Sequence, residues 1–192
     1  MNKVLLAALA LVGLASGAQA EETKPLNFYG IFGVTAGGDT LYTAYYTNGD
    51  SVDVRGGGLV QFGGGIDYHF NEQFSLQFGI NYHVDRASAN NGDITFSRWP
   101  VELIAHYSFN DSWRIGAGAR FVNGAKISGS GVASGISDLK ADNTVGAVLE
   151  GEYFFNPHFS VKVRGVSEKY QFPGAAHKAN GDHIGAFAGF YF

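Results

Sequence analysis

Tyr107-Ser108-Phe109-Asn110-Asp111-Ser112-Trp113-Arg114-Ile115 is a tight turn between two strands, and the chain contains it three times. The other copies are Tyr68-His69-Phe70-Asn71-Glu72-Gln73-Phe74-Ser75-Leu76 and Tyr153-Phe154-Phe155-Asn156-Pro157-His158-Phe159-Ser160-Val161. In each, an aromatic residue stands directly before and after a three-residue polar turn that opens with Asn, the signature of a hairpin. The flanking aromatics are then expected to lie opposite one another on one sheet face: Phe70 with Phe74, Phe109 with Trp113, Phe155 with Phe159. Three such turns set a row of rings at one level of a single sheet.

Period-two alternation runs outward from every turn. Positions 60 to 70 in steps of two read Val, Phe, Gly, Ile, Tyr, Phe, and positions 74 to 84 read Phe, Leu, Phe, Ile, Tyr, Val. The other register carries Gln61, Asp67, His69, Gln77, Asn81, His83 and Asp85. The same division holds through Trp99 to Phe109, Trp113 to Phe121, Val145 to Phe155, Phe159 to Ser167 and Ile184 to Phe192. Asn27 to Ala36 supplies a first strand with Phe28, Phe32 and Val34 assigned to the outer face.

In the seven strands after the first, the apolar register contains no Asp, Glu, Lys or Arg, whereas the opposite register holds Asp67, Asp85, Glu102, Glu150, Glu152, Glu168, Arg98, Arg114, Arg120, Lys162 and Arg164. A soluble β-sandwich also alternates. An apolar face without a single charge, on strands of about 9 to 11 residues, instead fits strands that cross a lipid bilayer at a tilt. Eight strands, an even number, close into a sheet without edges, which hydrocarbon requires. The expected fold is therefore all-β: an eight-stranded, antiparallel, up-and-down transmembrane β-barrel. Its rings Phe70, Phe74, Phe109, Trp113, Phe155 and Phe159 form the aromatic girdle at the short-turn, periplasmic side. Long loops are expected at the other end, near 37–57, 86–93, 122–142 and 171–182.

Composition agrees. The chain has 28 Gly, 16 Phe, 10 Tyr, one Met and no Cys, which favours strands and turns and leaves neither a disulfide framework nor a thiol nucleophile. Lys3, the apolar run Val4 to Leu14 and Ala18-Gln19-Ala20 read as a secretory leader, residues 1–20, with the barrel domain at 21–192. Without Lys3 the chain carries 12 basic and 17 acidic side chains, so no basic footprint for nucleic acid exists.

Phe62-Gly63-Gly64-Gly65-Ile66-Asp67-Tyr68-His69-Phe70-Asn71, followed by Phe74-Ser75-Leu76-Gln77-Phe78-Gly79-Ile80-Asn81-Tyr82, resembles the small outer-membrane barrels of the OmpA and OmpX type. Gly189-Phe190-Tyr191-Phe192 looks like their C-terminal signal, with Phe190 and Phe192 offered to the barrel assembly machinery. The resemblance spans the mature chain, which is expected to stop at the barrel as OmpX does, without the peptidoglycan-binding domain of full-length OmpA. It implies a location in the bacterial outer membrane among its lipids, and a part in adhesion, host-surface binding or envelope integrity. The loops, with Tyr42, Tyr45 and Tyr46, are the expected contact for an extracellular protein or glycan.

Eight strands leave an interior that side chains can fill. If Phe109 faces Trp113, counting outward along both strands sets Glu102 opposite Arg120. From Phe155 and Phe159 the same count sets Glu150 opposite Arg164 and Glu152 opposite Lys162. These pairs predict a lumen plugged by ions of opposite sign, and a non-enzymatic protein for envelope structure or surface contact. A small-solute channel is the alternative, and a lipid A-modifying enzyme ranks below it.

His106-Tyr107-Ser108 resembles the His-x-Ser element of outer-membrane lipid A deacylases, but both side chains face the lumen and Arg120 stands where an acidic partner would be sought. Glu150 and Glu152 with basic partners would both stay ionised, which suits no general acid. The six His lack zinc-site spacing, and Gly56-Gly57-Gly58 and Gly63-Gly64-Gly65 precede no helix that could cradle a phosphate. No catalytic residue, cofactor or metal is expected.

Overall fold

The computed structural model describes residues 25–45, 50–89, 92–135 and 138–192. The expected leader, residues 1–20, lies outside them, as does Tyr46. Eight long strands form the wall: β1 (Leu26–Gly37), β2 (Leu59–His69), β3 (Phe74–Ala89), β4 (Gly92–Ser108), β5 (Trp113–Gly131), β6 (Thr144–Asn156), β7 (Phe159–Ser167) and β8 (His183–Tyr191). Each pairs antiparallel with its sequence neighbours, and β1 pairs with β8, so the sheet closes. The described residues contain no helix.

The repeated Asn explains the short turns. Asn71 Oδ1 accepts from the backbone N–H of Gln73 and Phe74 at 2.9 and 2.8 Å, and Asn110 Oδ1 accepts from Ser112 and Trp113 at 2.9 Å each. The side chain thereby takes up donors that the reversing backbone frees. In the third turn, Asn156-Pro157-His158, Asn156 Oδ1 accepts from His158 N–H at 2.9 Å, and the second bond, from the position of Phe159, is not made. There the ladder slips: Phe159 pairs with Asn156, not with Phe155, and the expected register resumes at Ser160 opposite Phe154. The Phe155 and Phe159 rings still stack, with centroids 5.6 Å apart.

Phe28, Phe32 and Val34 are exposed on the outer wall, as are Ile80, Leu149, Val163 and Ile184. All eleven charged residues of the opposite register are buried inside the barrel. A row of touching rings runs round the short-turn end through Phe74, Tyr107 and Phe109, then Trp113, Tyr153, Phe155, Phe159 and Phe190. A second outer cluster, Phe62, Tyr82 and Trp99, lies higher on the wall. Trp99 and Tyr107 share β4 eight residues apart, roughly 26 Å along the strand, which fits the tilted apolar band of a membrane barrel.

Two of the expected long loops are mostly strand. β3 runs to Ala89, β4 begins at Gly92 and β5 continues to Gly131, so residues 86–89, 92–93 and 122–131 extend the sheet beyond the apolar band. An additional residue on β5 hides this in the sequence. Trp99 pairs with Asn123, but Ser97 pairs with Lys126. Gly124 takes up the slack in a bulge with φ of +64°, a conformation that side-chain-bearing residues resist. Beyond it the inward positions become Ala125 and Ile127, odd-numbered where the lower half is even. The first expected loop also holds a hairpin, Thr40–Tyr45 with Ser51–Arg55.

Candidate functional site: a filled lumen under an apolar cap

Inside the lower barrel the charges form one connected network. Arg114, from β5, donates Nη1 to Asp67 Oδ2 and Nε to Glu152 Oε2, both at 2.7 Å, and Nη2 to the Tyr191 hydroxyl at 2.6 Å. Tyr191 and Ser160 hydroxyls donate in turn to Glu152 Oε1 at 2.7 and 2.5 Å. Lys162 Nζ sits between Glu150 and Glu152, 3.3 and 3.2 Å from their oxygens. Arg164 grips Glu150 with Nε and Nη2, at 2.7 and 2.6 Å, and reaches Glu102 Oε2 with Nη1 at 2.7 Å. Arg120 donates to Glu102 Oε1 at 2.9 Å and to Gln61 Oε1 at 3.0 Å.

Glu102 thus stands opposite Arg120, Glu150 opposite Arg164 and Glu152 opposite Lys162, but none is an isolated pair. Each carboxylate serves two cations: Glu102 and Glu152 from two different strands, Glu150 from Arg164 and Lys162 of β7. The count from the turns could not show this, because a register places partners on neighbouring strands only. Arg114–Asp67 and Arg164–Glu102 reach across the lumen. Four acids, Asp67, Glu102, Glu150 and Glu152, balance four bases, Arg114, Arg120, Lys162 and Arg164. Such an interior adds little net stability over an apolar one and defines which strands must meet.

Above this layer the filling changes character. Glu168 is 2.9 Å from Arg120 Nε and 3.8 Å from Arg98 Nε, and it accepts from the Tyr170 hydroxyl at 2.5 Å. The Arg98 guanidinium lies 4.7 Å from the Phe96 ring centroid and 5.7 Å from that of Tyr170. Higher still, Val54, Phe96, Val122, Ile127, Tyr170 and Phe172 form a buried apolar cluster with Leu41 and Ala44 of the first hairpin packed against it. Burial raises the Tyr170 hydroxyl well above its ordinary pKa, against the pull of the Arg98 charge. The cap joins the strand extensions to the segments after β1 and β7.

The candidate contact residues sit on this cap. Tyr45 is 83% exposed and Tyr42 40%, both on the first hairpin. Asp53 on the same hairpin accepts from the hydroxyls of Thr43 and Thr40 and from Arg55 at 2.8, 3.1 and 3.1 Å. The Thr43 hydrogen bond, then those of Thr40 and Arg55, hold its carboxyl below the usual range. At the tip of the β3–β4 hairpin Arg86 binds Asp93 and holds its carboxyl low, helped by Ser88 and Ser130.

His106 Nε2 bonds Glu150 Oε1 at 2.7 Å deep in the lumen, while Ser108 lines the periplasmic mouth. Ligand atoms of His106, Glu150 and Glu152 lie within 4.8 Å of one another. Arg164, Lys162 and Arg114 already hold both carboxylates, so a cation there would face three fixed positive charges. The arrangement suits ion pairing better than metal binding. Phe190 packs on Phe159 with centroids 5.4 Å apart, and Phe192 is exposed beside β1, its N–H donating to Phe28 C=O at 2.9 Å.

The fold matches solved structures. The chain superposes on Neisserial surface protein A with a TM-score of 0.52 at 12% identity, covering 90% of this chain and 100% of that one. The attachment invasion locus protein of Yersinia pestis gives 0.51 at 12% identity, covering 88% and 100%. Among curated protein sequences none matches. The family model of the outer membrane protein beta-barrel domain matches residues 6–192. The chain therefore belongs to the outer membrane protein beta-barrel domain family, and its barrel resides in the bacterial outer membrane.

Proposed function

We propose that this barrel is a non-conducting, non-enzymatic element of the envelope that presents its extracellular cap for surface contact. The observation that carries the reading is the double filling of the interior: a balanced ion-pair network below and an apolar core above. A solute would have to break several buried ion pairs, each costing about 3 to 5 kcal/mol to sever one-sidedly, and then part the Phe96, Tyr170 and Phe172 packing. No such expense is needed for a protein that acts by its outer surface. Tyr42 and Tyr45 offer aromatic area on a braced hairpin, a form of contact that binds at small entropic cost.

Purified protein in planar bilayers should stay silent, and stable discrete conductance would overturn the sealed reading. Cells with and without the protein should differ in attachment to immobilised matrix proteins and glycans, with Tyr45→Ala reducing the difference. Equal attachment in both strains would remove the surface-contact role.

A further inference from the structure

The periplasmic mouth of the barrel is a cup of about 490 Å³ whose lining includes Asp67, His69, Glu72, Asp111, Arg114 and Tyr191. Its rim is acidic. Glu72 and Asp111 are exposed on the first two turns, and the only Lys or Arg that the described residues place near this end, Arg114 and Lys162, are 2% and 0% exposed. At the bottom Asp67 is fully buried. Its Oδ2 is taken by Arg114 at 2.7 Å and by Gln77 at 3.5 Å, with His69 Nε2 3.7 Å away, but its Oδ1 has no hydrogen-bond partner among the described residues. One wall is aromatic, with the rings of Phe154 and Tyr191 in contact at 5.2 Å.

A buried carboxylate oxygen without a donor is costly unless a ligand supplies one. An ammonium or guanidinium head supplies both the donor and the opposite charge, and an apolar stem can lie along the ring wall. We propose that this cup takes a Lys or Arg side chain of a periplasmic polypeptide, its head bound at Asp67 and its approach steered by Glu72 and Asp111. The site depends on the outer-membrane orientation and is independent of the cap.

The test uses the mature barrel in phosphatidylcholine nanodiscs, titrated calorimetrically with acetylated pentalysine amide at low salt. Saturable binding is expected, weakened about tenfold by Glu72→Gln with Asp111→Asn, since two exposed charge pairs are lost. Asp67→Asn should abolish it in protein that still shows the gel shift of a folded barrel, and acetylated pentaglutamine amide should not bind. Absence of saturable binding would overturn the proposal, as would binding unchanged in the rim variant or lost instead with Asp53→Asn and Asp93→Asn on the cap. Tighter binding in Lys24→Gln would assign the cup to the chain's own lysine and would equally overturn it. Conductance recordings report on the sealed lumen separately, so failure of the two readings can be told apart.

Discussion

Replacing Glu150 tests the network where it is densest. Its carboxylate takes two donors from Arg164 at 2.7 and 2.6 Å, Lys162 at 3.3 Å and His106 at 2.7 Å, and it is 2% exposed. Glu150→Ala leaves three acids against four bases in the lower layer. Arg164 keeps Glu102 and Lys162 keeps Glu152, so the loss should fall near the lower end of the range for breaking a buried pair, about 3 kcal/mol. Arg164→Ala alone should cost a similar amount, by leaving one acid in excess. Glu150→Ala with Arg164→Ala restores the balance, and its cost should not exceed that of Glu150→Ala alone. The coupling is then about 3 kcal/mol. Urea unfolding of lipid-embedded protein, followed by Trp99 and Trp113 fluorescence, reads all three. Losses that add to within about 0.5 kcal/mol would mean that the two side chains are energetically independent, and the network reasoning would fail.

Phe96→Ala, which empties the centre of the cap, should cost about 3 to 5 kcal/mol by the same unfolding assay. Gly124→Ala forces a side chain into the φ of the bulge and should cost about 1 to 2 kcal/mol, whereas Gly135→Ala, in a turn above β5, should be near neutral. Acid should loosen the exposed hairpin tips before the wall. Asp53 and Asp93 have carboxyls held below their unfolded values, so their bonds stabilise above about pH 4 and are lost as pH falls through the lower folded values. Protection factors of the tip amides, taken against the intrinsic exchange rate at each pH, should therefore fall below that pH while the strands at the level of Lys162 stay protected.

Much of the wall was legible because the sequence states it locally. Each Asn-led turn sets its own register, and the alternation of Phe, Ile and Val with Glu, Arg and Lys follows from it. Asn71 and Asn110 accept the hydrogen bonds that such turns need, and only the third turn slips, at Phe159. The cap was not legible. Gly124 shifts the parity of β5 by one, and above that point the inward residues are Ala, Ile, Phe and Val, so they no longer contrast with a charged register. Tyr170 and Phe172 reach the same core from beyond the end of the expected seventh strand, Phe172 from a segment read as loop, and nothing in their spacing reveals where they pack. The cross-lumen contacts, Arg114 with Asp67 and Arg164 with Glu102, join strands far apart in sequence order and depend on closure of the sheet. Asp67 was recognisable as inward-facing, but its unpartnered oxygen is a property of the assembled mouth alone.

The absence of cysteine allows one labelled position at a time to report which solvent each face meets. Fluorescent thiol labels at Leu149, Val163 and Ile184 on the outer wall, and at Val148, Val166 and Phe187 inside, would be exposed in turn to spin-labelled lipid and to aqueous iodide. Quenching of the outer three by lipid only, with the inner three shielded from both, is the predicted pattern. Iodide reaching the inner positions would show a water-filled pore, and lipid failing at the outer ones would show that the uncharged face does not meet the membrane.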